Sequence, residues 1–210
     1  MEVRRVVTGH DQNGRAVVVS DSEIDGFRPS LMPGFELHRL WGGDYAPHFP
    51  DDGAQSKIES HFPPVGGFRF GIFSIAPSDR REAPPGADQL ASGLAELEAG
   101  MPGLFEHMEP DAPGMHRTAT IDFEIVLDGE VWLELDDGAT VHLRRGDAVV
   151  QNGTRHAWHN RGTDTCRLAL FICGAQHDHV PGHEDAGQAS QSPSAVVAAT
   201  SRNRSRSRNF

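Results

Sequence analysis

Two cysteines in 210 residues rule out a disulfide framework, and their placement argues against even one bridge. Cys166 and Cys173 lie seven residues apart in one strand-like segment, so joining them would fold that strand back on itself. Reduced thiols are expected, and with them a cytoplasmic location. Also missing is any run near the roughly 20 apolar residues that cross a bilayer as a helix, which excludes a helical membrane protein. The start, MEVRRVVTGHD, passes directly into a short alternating segment without an apolar stretch of about 7–15 residues, and reads as unexported. Positive charge is scarce as well: Lys and Arg number 19 against 30 Asp and Glu, for a net charge of −11. Backbone phosphates would be repelled by most of such a surface, so no nucleic acid and no membrane are expected as partners. The final SRNRSRSRNF reverses the sign locally, but in a Ser/Asn background without apolar periodicity it reads as a disordered end. No repeat of 20–50 residues is present, which sets solenoids and propellers aside.

What the chain does contain is period-two alternation, punctuated by Gly, Asp, Asn and Pro. VRRVVTG, RAVVVSD, FELHRLWG and FRFGIFSIAP read as strands, the first two as a hairpin across His10–Gly14. One helical signal follows: Leu90, Leu94, Leu97 and Met101 fall at i, i+4, i+7 and i+11 before Gly100 and Pro102 break the pattern. TIDFEIVLDG, EVWLELDDG, ATVHLRRGD, AVVQNG, RHAWHNRG and CRLALFICG then read as six short strands, with Asp128-Gly129 and Asp137-Gly138 as hairpin turns. The pattern predicts an all-β fold, a small antiparallel barrel or sandwich. The expected organisation is an N-terminal β extension over 1–85, a helical segment over 86–109, a barrel core over 110–180 and a disordered tail over 181–210.

Two motifs carry a family resemblance. PGMHRTATIDFEIVLDGE supplies Gly114, His116, Asp122 and Gly129, with Thr118 two residues after the histidine; GDAVVQNGTRHAWHN supplies Gly146, Gly153, His156 and Asn160. In this order they resemble the two motifs of the cupin superfamily, the double-stranded β-helix or jelly-roll barrels, with Thr118 where a second histidine would stand. The wording of the second motif and the long N-terminal extension resemble single-domain cupins of bacteria and of fungal secondary-metabolite clusters. Those in fungi are often described as oxidoreductases.

The resemblance implies that His116, Asp122 and His156 converge inside the barrel. Two imidazoles and a carboxylate suit Fe(II), and accept Mn, Ni or Zn, so a divalent metal is the expected cofactor. Thr118 would orient a metal-bound water, and Glu124, on the same strand face as Asp122, would move a proton. The competing reading is a metal-free pocket with buried histidines, because the second histidine is missing. His159 should point outward, Asn160 should cap a turn, and Trp132 and Trp158 should wall a pocket or fill the core. His38, Trp41, His48 and His61 should cover the barrel mouth or decorate loops. The expected function is a metal-dependent enzyme acting on a small organic, aromatic or polyketide-derived metabolite, as an oxidoreductase or oxygenase, or as a decarboxylase or dehydratase. The alternative is a non-catalytic small-molecule-binding cupin. Open strand edges in the extension further predict a homodimer joined through sheets.

Overall fold

The computed structural model describes residues 2–77 and 86–178. The expected tail, 181–210, lies outside the described residues, as does the segment 78–85. Among the described residues, ten strands follow the alternating pattern closely and one α-helix follows the helical signal. Strands β1 (Arg4–His10) and β2 (Ala16–Glu23) form the expected hairpin, followed by β3 (Phe35–Gly43) and β4 (Phe68–Ile75). Helix α1 (Ala87–Gly100) and a 3-10 turn at Leu104–His107 lead into β5 (Thr120–Asp128), β6 (Glu130–Glu134), β7 (Thr140–Arg144), β8 (Ala148–Asn152), β9 (Ala157–His159) and β10 (Cys166–Gly174). A five-stranded sheet runs β3-β4-β10-β5-β8 and a three-stranded sheet β7-β6-β9, with antiparallel pairing throughout.

The order of strands corrects one expected hairpin. Asp128-Gly129 joins β5 to β6, yet these strands pair in different sheets, so the turn is a corner between sheets. Gly129 makes it possible: its φ is +76°, and a Cβ there would come within 2.9 Å of the Cys166 Cα and the Thr165 carbonyl. The other turn does close a hairpin, β6–β7, with Asp137 itself left-handed at φ 58°.

The helix also differs in which face it buries. Leu90 and Leu94 are exposed, and the buried line runs instead through Gly93 and Leu97 to Met101. At Gly93 a Cβ would lie 2.4 Å from Leu31 Cγ, so the missing side chain lets the Leu31 segment press against the helix. The core between the sheets contains Val126, Val131, Leu133, Leu143 and Leu168. Burying each such side chain contributes roughly 1.5–3 kcal/mol, and the sheet corner holds the two layers in place around them.

Candidate functional site

Strand β5 positions the site through its alternation. Thr120, Asp122, Glu124 and Val126 are buried on its inner face, whereas Phe123, Ile125 and Leu127 are exposed on the outer one. Val126 meets the apolar core, so the polar part of the inner row lies on the side away from it. Thr118, just upstream, shares a 2.7 Å hydroxyl hydrogen bond with Thr120. Beyond these hydroxyls come two carboxyl groups that few partners satisfy. Asp122 Oδ1 and Glu124 Oε2 are both buried without a hydrogen-bond partner. Gln151, opposite Asp122 in the β5–β8 register, spends its amide on the Thr154 carbonyl and hydroxyl.

This dryness moves both acids. Burial pushes Asp122 up to about 6, partly opposed by a hydrogen bond from Thr120. Burial, and then the charge of Asp122, pushes Glu124 up to about 8. At neutral pH Glu124 is therefore mostly a carboxylic acid and Asp122 mostly a carboxylate.

The two histidines form a second cluster. His116 and His156 exchange backbone hydrogen bonds of 2.9 Å in each direction, and their ring centroids lie 4.2 Å apart. His116 Nδ1 lies 3.0 Å from the Gly114 carbonyl and His156 Nδ1 2.9 Å from the Thr154 carbonyl. A carbonyl only accepts, so each Nδ1 carries the proton and each Nε2 keeps its lone pair. Burial, and then His116, lowers His156 to about 4, and burial lowers His116 too, so both imidazoles are neutral.

Three residues absent from the motif reading adjoin this pair. His107, from the 3-10 turn, has its Nδ1 3.1 Å from the Arg117 carbonyl, and Phe62 packs edge-on to it at 4.9 Å while stacking on His116 at 6.4 Å. His61 is lowered to about 3 by burial and by the charges of Arg39 and Arg69. A cavity of about 520 Å3 is lined by Phe62, Pro63, Pro64, His107 and Thr120 and opens onto this region. A larger cavity, about 1130 Å3, lies elsewhere, between β1 and the β3–β4 edge. Arg69 fixes the wall at 59–65. It donates to Asp44 Oδ1 at 2.6 Å and to the carbonyls of Gly43, Ser60, His61 and Phe68.

Of the three expected metal ligands, the structure brings His116 and His156 together and leaves Asp122 apart. The charges acting on His116 come from His107 and Glu109, and the one on His156 from His116. Asp122 instead couples to Thr120 and Glu124. Among the described residues no group of three His, Cys, Asp or Glu side chains is arranged to hold a metal ion. Two donors with free Nε2 atoms fit an ion; the three-ligand set does not form. Thr118 lies on the inner row with its hydroxyl engaged by Thr120. His159 is half-buried with its Nε2 2.7 Å from Glu134, Trp158 packs edge-on to His156 at 6.0 Å, and Trp132 stacks on His142 at 4.0 Å. Asn160, fully buried, caps the turn after β9 by accepting from Gly162 N and donating to the Asp164 and Ile75 carbonyls. His38 is buried in β3 beside Glu36, Trp41 faces the Arg5 guanidinium, and His48 is exposed on a loop.

Fold and site together define a small two-sheet β-barrel with a polar inner row. Residues 104–173 match the Cupin_2 family, described as a cupin domain, and this part of the chain is cupin-2-like. It is 57% identical over 58 residues to phomopsin biosynthesis cluster protein C' of Diaporthe leptostromiformis, covering 28% of this chain and 31% of that one. The chain thus spans about a third of the length of that relative. A longer match, 28% identical over 189 residues, joins 88% of this chain to 79% of the cupin-domain-containing oxidoreductase fogC of Aspergillus ruber. Among solved structures, the Schizosaccharomyces pombe Cnp3 cupin domain is 12% identical with a TM-score of 0.40, over 82% of this chain and 87% of that one. No helix among the described residues is long and apolar enough to cross a membrane.

Proposed function

We propose that this protein is a cupin enzyme performing acid–base chemistry on a small organic metabolite, of the dehydration or enolisation type. The observation that carries this reading is the pair Glu124 and Asp122, adjacent on one buried strand face and pushed to about 8 and about 6. Neighbouring carboxyl groups with separated proton affinities serve as acid and base. In a β-hydroxy carbonyl substrate, the Asp122 carboxylate takes the α-proton, and Glu124 donates its proton to the departing hydroxyl, which leaves as water. The neutral Nε2 atoms of His116 and His156 accept hydrogen bonds from substrate hydroxyls, and Thr118 and Thr120 line the approach from the cavity beside Phe62.

A second reading, a metal-dependent oxidoreductase, is favoured by the names of relatives such as fogC and by the two presented Nε2 atoms. It needs a third donor from outside the His116–His156 pair. The test combines two measurements on untagged protein. Solvent deuterium exchange into a panel of β-hydroxy and β-keto acids, followed by NMR, should be catalysed by the wild type and fall by about 10²–10⁴-fold in Asp122→Asn, which lacks the base. Equal exchange in both proteins refutes the acid–base reading. Metal analysis after reconstitution with Fe(II), Mn, Ni or Zn decides the second: one ion per chain, lost in His156→Ala, supports it. A protein with neither exchange nor metal, yet with ligand-dependent thermal shifts, is a non-catalytic binder.

A further inference from the structure

One cation on the inner face of the five-stranded sheet has no partner. Arg39 follows Leu37 by two residues on β3, so the two share a face, and Leu37 belongs to the core between the sheets. The register carries this face across the sheet. Arg39 lies beside Gly71, Gly71 beside Leu170, Leu170 beside Glu124, and Glu124 beside Val149. The next rank sets Gly42, Arg69, Ile172, Asp122 and Gln151 in line, so each rank holds one arginine and one of the two inner acids. Arg69 is committed to Asp44 and to four carbonyls. Arg39, by contrast, makes no hydrogen bond and no ion pair among the described residues, and solvent can reach it.

The surroundings leave this charge uncompensated. Arg39 lines a small cleft with Leu37, Ile58, His61, Arg69 and Leu170, and no acid lines it. Burial, and then the like charge of Arg69, lowers the proton affinity of Arg39 below the ordinary arginine value. The charge acting on Glu124 is that of Asp122, whereas a guanidinium in contact with Glu124 would hold it ionised. Arg39 is therefore not the counter-ion of the inner acids. Three strand spacings of about 4.8 Å put the Arg39 and Glu124 backbones about 14 Å apart along the sheet, and Gly71 places no side chain between them. The cleft also adjoins the site already described: His61 packs edge-on to Phe62 at 4.7 Å, and Phe62 stacks on His116.

We propose that Arg39 anchors the substrate by a carboxylate, so that the substrate of this barrel is a keto acid lying along the rank from Arg39 to Glu124. The proposal rests on the acid–base reading and names its substrate class. The cleft, about 30 Å3, matches one water-sized group and so takes the head of an anion, with the body of the ligand extending over Gly71 and Leu170. A planar carboxylate fits the fork of one free guanidinium in shape and charge. A phosphate would bring nearly two charges and three oxygens to that single donor. With the carboxylate held there, Asp122 takes the proton from the carbon beside the ketone. The C–H electron pair becomes the C=C bond of the enol, and Glu124 gives its proton to the ketone oxygen. Arg39 is thus a binding and positioning residue for this step.

Calorimetric titration of the full chain with acetoacetate, 4-oxopentanoate and their methyl esters at constant ionic strength tests it. The acids should bind about tenfold or more tighter than the esters, the scale of one charge-assisted hydrogen bond. Arg39→Gln should erase that preference with an unchanged circular dichroism spectrum, Arg39→Lys should restore part of it, and Lys57→Gln, which removes a positive charge outside the cleft, should keep it. In deuterium exchange Arg39→Gln should raise KM for the acids about tenfold or more and leave the esters unmoved. Esters that bind as well as acids to the wild type overturn the proposal, with no variant needed. So does a preference that survives Arg39→Gln, or inorganic phosphate that displaces the acids with equal affinity. Asp122→Asn separates this proposal from the reading beneath it, because that variant should stop exchange and keep the preference for acids. An Arg39-dependent preference in a wild type that exchanges nothing supports the carboxylate site and refutes the acid–base chemistry, whereas exchange that accepts esters and acids alike does the reverse.

Discussion

Glu124→Gln is the sharpest perturbation available, because it replaces a protonated carboxyl with a neutral group of the same shape. The side chain sits on the inner row of β5 with Oε2 unpartnered, held at about 8 against an ordinary 4.5. A carboxyl whose affinity for protons is raised by folding makes the native state bind more protons than the unfolded one between those two values. Stability then falls as pH rises from about 4.5 to about 8, and the loss is complete above that. At 1.36 kcal/mol per pH unit the ceiling is about 5 kcal/mol, and relaxation and water entry reduce it to on the order of 2–3 kcal/mol. Gln cannot ionise, so the variant should match the wild type at pH 5 and exceed it by about that amount at pH 9. Urea unfolding at five pH values between 5 and 9 measures this directly. Parallel pH dependences for the two proteins would show that Glu124 is ionised and solvated in the native state, and both the shift and the acid role would fall with it.

The histidines act with the opposite sign. His61 and His156, lowered to about 3 and about 4, resist protonation in the native state, so stability should also fall as pH drops from about 6.5 toward 4; with the acids, this should give a plateau near pH 5–6.5 in a thermal-shift scan. His156→Ala should change ligand or metal binding at least about tenfold by calorimetry, whereas His159→Ala, which removes only the contact with Glu134, should leave binding nearly unchanged. Arg69→Ala should destabilise the protein by about 3–5 kcal/mol in urea unfolding, because it strands the Asp44 carboxylate and four carbonyls; Arg69→Lys should recover only part, lacking the planar fork.

Strand positions were legible because alternation and turn residues are local signals, and β1 through β10 fall within a few residues of the apolar runs that announce them. Pairing was less so. Asp128-Gly129 looks like a hairpin from its neighbours alone; that it turns a corner depends on β10 and β8 flanking β5, which no local window contains. The helix face was misjudged for a related reason, since Gly93 and Gly100 gain their meaning only from Leu31 and Phe27 packing against them. In the site, the His116–His156 juxtaposition follows from motif order, whereas the roles of His61, His107 and Phe62 arise from a loop and a 3-10 turn outside both motifs. The separation of Asp122 from the histidines is a matter of side-chain contacts, which spacing along a strand leaves undetermined.

The five hydrogen bonds of Arg69 also bear on how such a protein could change its specificity. The guanidinium ties Gly43 and Asp44, at the start of one long connection, to Ser60 and His61 at its end. Residues 45–59 therefore hang from a knot that holds both their ends against the barrel. Such an excursion can be lengthened, shortened or exchanged for another sequence while His61 and Phe62 keep their places, and lengthening carries only about 0.6 kcal/mol of chain entropy for each doubling. Variation in what the barrel admits can thus accumulate in a graftable cassette, leaving the inner row of β5 untouched.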